Sequence, residues 1–433
     1  VRELNDTRAG RADTLFGQAY GNPAVDAATS DGAWLRGMLA FERALAVGAA
    51  RVGLVPAEHA GAIAAACADP DRFDLAALAA GAATQATPVI ALIARLRELV
   101  PAEVRGSVHL AATSQDVIDS ALMLIARDGL APAMDDAAAT ADLLAGLART
   151  HRDTVQVGRS FLQHGEVTTF GAACAARLVA VDDALARLGE VRGRRLAVQL
   201  GGAVGALGPA GQHGPALVAA VADELGLAEP VTPWHTSRGR VGELAAAIGI
   251  LAGELAAAAQ DVVLLSATEL AEVSVAEPGG SSAMPHKRNP ARAVLAVACA
   301  HRVPGLVGTV LAGMPQELQR SPGRWQAEWG TVVDLVRLLG GTARHTRAAY
   351  DGLQVRTDRM AGQVAALFKS TGQPAGPSDV AAARPPPARP PAAGPPAAGA
   401  FVDRALAAHA SQPRAAPDPR PQPPDPSRHG GTP

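Results

Sequence analysis

Residues 279–290 read Gly-Gly-Ser-Ser-Ala-Met-Pro-His-Lys-Arg-Asn-Pro, and the rest of the chain is understood from this stretch outward. Gly279 and Gly280 let the backbone bend or pass close to another segment. Two hydroxyls, Ser281 and Ser282, and two cations, Lys287 and Arg288, follow them. Asn289-Pro290 is a helix-start signal, with Asn at the N-cap and Pro at the first helical position. A cationic loop that feeds a helix N-terminus is suited to holding a carboxylate. Taken alone, Lys-Arg-Asn-Pro reads equally as a solvated turn with a cap.

A chain of 433 residues is long for one core and suggests two or three domains. Hydrophobic residues make up 48% and aromatics 3%, a mixture that suits closely packed helices and offers few bulky strand formers. A net charge of −2 argues against nucleic acid or an anionic membrane as a partner. Cys67, Cys174 and Cys299 are widely spaced, match no metal pattern, and read as buried free thiols in a reducing compartment. The first residues do not read as a basic-then-apolar leader. The apolar region 244–265 carries Glu254, Gln260 and Asp261, which argues against a membrane span. The expected location is the cytoplasm.

Upstream, Leu35, Met38, Leu45, Ala49 and Val52 recur at helical spacing, and a second helix is predicted from Val89 to Leu99, before Pro101. Residues 1–105 read as a small helical domain. In Ser107-Val-His-Leu-Ala-Ala-Thr-Ser-Gln-Asp-Val-Ile-Asp119, Thr113 or Ser114 can cap a helix whose first turn carries Asp116. That helix is expected from near Val117, past Gly129 and Pro132, with a restart toward Leu147. Leu244, Ile248, Leu251, Leu255, Ala258, Val262 and Leu265 alternate four and three apart, a heptad seam. Such a stripe must pack on other long helices, from this chain or from other subunits. After Pro290 a further helix runs toward Leu311, with a kink expected at Pro304. Beyond residue 372 lie about half of the 33 prolines, a composition expected to be disordered, with only Ala400–Ala410 looking helical.

Six stretches together carry a resemblance. Ser281–Pro290 resembles the signature loop of the fumarase/aspartase superfamily. His109-Leu-Ala-Ala-Thr-Ser-Gln-Asp116 is similar to its His-x-Gly-x-Thr-Ser-Gln-Asp region, with Ala111 in place of the usual Gly. Gly158-Arg-Ser-Phe-Leu-Gln-His-Gly-Glu-Val-Thr-Thr-Phe-Gly171 resembles its second region, with Phe161 where the lyases carry a general-acid His and Val167 where Pro is usual. Gln199–Leu207, Trp234-His235-Thr236 and Gln319–Trp329 resemble the cycloisomerase branch, which also lacks that His. His235 reads as structural, a cap for the next helix. The resemblance covers roughly residues 12–360. It implies an all-α fold: a long-helix bundle at 106–345, the small N-terminal domain, a remnant of a third helical domain at 346–371, and a Pro-rich disordered tail at 372–433.

The family's chemistry, by resemblance, is reversible addition to a carbon β to a carboxylate. In that role Ser281 moves the proton, Lys287 stabilises the negative charge that builds on the carboxylate, and His164 is a second catalytic candidate. His109, Thr113, Ser114, Gln115, Ser160, Gln163, Asn289 and Arg320 are the implied substrate-binding residues. The cycloisomerase branch implies intramolecular addition of a carboxylate to a conjugated double bond, in the breakdown of aromatic compounds. Also implied are a small polycarboxylate substrate, no metal or organic cofactor, and a homotetramer with shared active sites. Two alternatives remain open: a superfamily lyase releasing fumarate from a substituted succinate such as adenylosuccinate, and a diverged non-catalytic scaffold. The tail likewise admits two origins, true divergence or a shifted reading frame in a GC-rich gene.

Overall fold

The computed structural model describes residues 14–371 and 394–412. Six helices come first: α1 (Gly17–Tyr20), α2 (Pro23–Ala28), α3 (Asp31–Arg51), α4 (Ala57–Cys67), α5 (Leu75–Gln85) and α6 (Val89–Leu99). The body then follows as α7 (Ser114–Thr150), α8 (Phe170–Arg194), α9 (Gly214–Leu225), α10 (Gly239–Leu265), α11 (Ala291–Gly313) and α12 (Arg324–Tyr350). Helices α13 (Thr357–Thr371) and α14 (Pro396–Ser411) complete the described residues. Strands are few: the hairpin β1 (Val155–Ser160) with β2 (Gln163–Thr169), and the two-residue pair β3 (Val273–Ser274) with β4 (Gln354–Val355).

The five long helices α7, α8, α10, α11 and α12 run alternately up and down. Arg192 near the end of α8 donates to the carbonyl of Arg127 in α7, so these two are antiparallel. Arg238 at the head of α10 meets Asp119 in the first turns of α7, and Asp261 near its other end meets Arg177 at the head of α8. Helix α10 therefore runs beside α7 in the same direction. Helix α11 returns along α10, because a Cβ on Gly249 would meet Val307 and one on Gly242 would meet Met314. Helix α12 then runs with α7 and α10: Glu328 near its start reaches Arg238, and Tyr350 Oη at its end donates to the Ala258 carbonyl.

Two expectations are corrected. Helix α7 is one continuous helix of 37 residues through Pro132, with no break and restart. Thr113 is its N-cap, and the Thr113 amide donates to Asp116 Oδ2 at 3.0 Å. Helix α11 begins at Ala291, with Pro290 at the cap position, so Asn289 does not cap it. Asn289 instead donates from Nδ2 to the Gly280 carbonyl at 2.9 Å. The heptad seam is consumed inside the chain. Leu244, Ile248, Leu251, Leu255 and Ala258 are each 0% exposed, packed within one continuous core that spans α3 to α12.

Helices α10 and α11 are each long and apolar enough to cross a membrane. Their burial is one-sided, as in bundle helices, and Ile250, Leu264, Val294 and Leu311 stay 37–48% exposed on the other side. The three cysteines are free and buried. Helix α14, which contains the helical-looking Ala400–Ala410, docks through Asp403 to Arg152 and through His409 to Asp142 and Asp182. The rest of the Pro-rich segment lies outside the described residues.

Candidate active site

The three motif regions fall at two ends of the bundle. At the end where α7 and α10 begin, Thr113 stands at the helix start, and Arg320 donates from Nη1 to Thr113 Oγ1 at 2.7 Å. The guanidinium also stacks 5.7 Å from the Trp325 ring centre, and burial lowers its pKa from the usual arginine value. Ser114 follows as the first residue of α7. Gln115 lies deeper, 1% exposed, and its Nε2 donates to the His235 carbonyl and to Asp119. His109 precedes the helix with φ +63°, and its Nδ1 lies 2.6 Å from Glu42 Oε1 in α3.

Beneath these residues is a buried ionic network. Asp116 accepts from the amides of Gly201 at 3.0 Å and Gly202 at 2.9 Å, and its Oδ1 lies 2.7 Å from His235 Nε2. His235 is thus structural, but it braces the α7 helix start rather than capping α10. Arg238, 0% exposed, joins Asp119 from Nη1 at 2.8 Å and Glu328 from Nε at 3.1 Å. Trp325 Nε1 donates to Asp119 Oδ1 at 3.0 Å. Burial opposes the charge on Arg238, yet the Asp119 and Glu328 carboxylates outweigh it and raise its pKa. The Glu328 carboxyl is raised by burial, against the pull of Arg238. One arginine between two carboxylates ties α7, α10 and α12 together at the level of Thr113. Reading the sequence did not find Arg238; the only signal was two carboxylates, Asp116 and Asp119, one turn apart in the otherwise apolar start of α7.

The other two regions lie at the opposite end, where α10 stops and α11 starts. Gly279 and Asn289 pair as an antiparallel bridge that closes the signature loop at its stem. The pairing needs a glycine, because a Cβ at Gly279 would approach the Ala291 methyl to 2.9 Å. Ser281 Oγ accepts the amides of Met284 at 3.1 Å and Ala283 at 3.4 Å. Ser282 through Arg288 are exposed, Lys287 among them. The hairpin carries Ser160, Gln163 and His164, all exposed, around a tip of Phe161 and Leu162 with φ of +52° and +62°. Phe161 is 98% exposed. Arg159 on β1 bonds through Nη2 to Glu272 Oε1 at 2.6 Å, and Gln156 reaches the other oxygen, so the hairpin is tied to the strand that leads into the loop.

Among the described residues no hydrogen bond or ion pair joins Thr113, Ser114 or Arg320 to the signature loop or the hairpin tip. Helix α10 separates the two ends, and 27 residues at about 1.5 Å each span about 40 Å. No group of three His, Cys, Asp or Glu side chains among the described residues could hold a metal ion.

A family model described as Lyase matches residues 19–305. The 3-carboxy-cis,cis-muconate cycloisomerase of Pseudomonas aeruginosa is 43% identical over 355 residues, which cover 81% of this chain and 77% of that protein. The nitrosuccinate lyase of Streptomyces davaonensis is 40% identical over 350 residues, covering 78% and 73%. Among solved structures, the 3-carboxy-cis,cis-muconate lactonizing enzyme of Pseudomonas putida superposes with a TM-score of 0.77 at 41% identity, covering 83% of this chain and 80% of that one.

Proposed function

Because the chain belongs to the lyase family of the fumarase/aspartase superfamily, we propose that it is an enzyme that works as a 3-carboxy-cis,cis-muconate cycloisomerase. One carboxylate of the substrate adds to its own conjugated double bond, and the carbon next to another carboxylate takes up a proton. The observation that carries this reading is the setting of Ser281. A serine hydroxyl is a poor base in water, and it needs donors that stabilise its alkoxide. The Ala283 and Met284 amides point at Oγ, and Lys287 lies in the same loop. Ser281 then exchanges the proton with the substrate carbon, while Lys287, Asn289, Arg320 and the Thr113 helix start hold the carboxylates and the charge that builds on them. The attacking carboxylate is already an anion and needs no general acid in the forward direction, which suits the apolar Phe161.

The site is assembled between copies of the chain. Its residues sit at both ends of α10, so a site that uses Thr113, Arg320 and Ser281 draws them from different chains in a homotetramer. The outward apolar faces of α10 and α11 are the surfaces such an assembly would cover. Purified protein mixed with 3-carboxy-cis,cis-muconate should remove the diene absorbance; no change in absorbance would overturn the substrate assignment. A fumarate-forming lyase is the second reading, favoured by the similarity to the nitrosuccinate lyase, and fumarate release from substituted succinates would establish it.

A further inference from the structure

We propose that Glu42 is a positioning residue of this site: its buried carboxylate holds the His109 ring so that Nε2 is presented as a donor to a carboxylate of the substrate. The proposal rests on the reading of the chain as an enzyme acting on a polycarboxylate. Glu42 comes from α3, outside every motif of the family resemblance, and its side chain is 1% exposed. Its Oε1 lies 2.6 Å from His109 Nδ1, whereas Oε2 is buried without a hydrogen-bond partner. Buried carboxylate oxygens are ordinarily satisfied, so an acid kept there with a single partner points to a task at that partner. His109 and Ala111 both occupy left-handed backbone, φ +63° and +62°, a strained conformation for residues other than glycine. Strain of this kind persists only where the surroundings fix it, and the bond to Glu42 is what fixes the His109 ring.

The other side of the ring is free to work. The His109 side chain keeps 15% exposure, and no hydrogen bond among the described residues takes up Nε2. Four residues on, Thr113 receives the Arg320 guanidinium, so a ring donor, a cation and a helix start gather at one end of the bundle. The charged groups facing His109 are Glu42 from α3, Asp116 from α7 and Arg97 from α6. Cys67 of α4 is near enough to feel the Glu42 charge, and burial pushes its thiol up to about 12. Burial alone would lower the His109 pKa, but the charge and hydrogen bond of Glu42 outweigh it and the pKa is raised. The imidazolium therefore persists to higher pH than an ordinary histidine would allow, and its grip on a carboxylate is lost as pH rises through that raised value.

The test uses the full chain, the isosteric variant Glu42→Gln and tricarballylate as the probe, followed by titration calorimetry. Glu42→Gln should weaken binding about tenfold at neutral pH, the scale of one charge-assisted hydrogen bond. The loss should shrink in mild acid, where the ring is protonated in both proteins, and Glu42→Asp should restore part of it. In a His109→Gln background, Glu42→Gln should add nothing. Equal binding by Glu42→Gln and wild type overturns the proposal, as does a pH-independent loss that persists without His109, because either leaves Glu42 only a structural role. Turnover of 3-carboxy-cis,cis-muconate by wild type is measured alongside. Absence of turnover with the binding pattern intact would sink the substrate assignment and leave the role of Glu42 standing.

Discussion

The helix start at Thr113 and the loop at Ser281 lie at opposite ends of the same bundle and are built by opposite means. Around Thr113, side chains from α7, α10 and α12 lock one another in place through Asp116, Asp119, Arg238 and Glu328, all of them buried. Around Ser281, the order comes from the backbone of a single loop, one bridge at Gly279–Asn289 and two amides on a hydroxyl. The first end is organised before substrate arrives. The second is exposed from Ser282 to Arg288, and in the proposed assembly the surface it faces belongs to another copy of the chain. On the proposed function, substrate binding falls mainly to the rigid end and proton transfer to the loop.

This contrast orders the expected effects of substitution. Ser281→Ala should abolish turnover, by at least about a thousandfold, with an unchanged melting temperature, because water can replace the hydroxyl at an exposed loop. Near-normal turnover would transfer the proton-moving role to another group, His164 first. Arg238→Met should act in the opposite way. It leaves Asp119 and Glu328 buried without their cation and should cost about 4 kcal/mol of stability in a denaturant titration. If Arg238→Met melts like wild type, the network is not what holds that end. Lys287→Met should lower the rate by about 3 kcal/mol of barrier with no loss of fold, read from kcat at saturating substrate.

The smallest effect concerns the backbone. Ala111 keeps the left-handed conformation, φ +62°, at the position where the motif it resembles has glycine. Ala111→Gly should therefore stabilise the protein by about 1 kcal/mol, the cost of a side chain in that region. A destabilised Ala111→Gly would mean that the Ala111 methyl packs well enough to offset its strain.

Features set by local rules were legible in the sequence. The Thr113 cap follows from a hydroxyl ahead of an acidic first turn, and the α10 seam follows from its spacing. Spacing tells that a stripe is buried but not against what, so Leu244–Leu265 read equally as an intrachain or an intersubunit contact, and its partners proved to be in the same chain. Arg238 was not legible because arginine is a surface residue by default; its burial depends on Asp119 and Glu328, over 80 positions away on either side. The β1–β2 hairpin was hidden by its turn. Phe161-Leu162 has none of the glycine or asparagine that usually marks two consecutive left-handed residues. Pro132 suggested a break in α7 that the packing on α8 and α12 overrides.

The most direct test of a site divided between chains is complementation between two inactive variants. Ser281→Ala removes function at one end of α10 and Arg320→Ala at the other. Each homogeneous protein should be nearly inactive, and subunits exchanged between them should regain a clear fraction of wild-type turnover, because some sites then hold both native residues. Proven subunit exchange with no regained turnover, or full wild-type activity in a monodisperse monomer, would show that one chain completes the site alone.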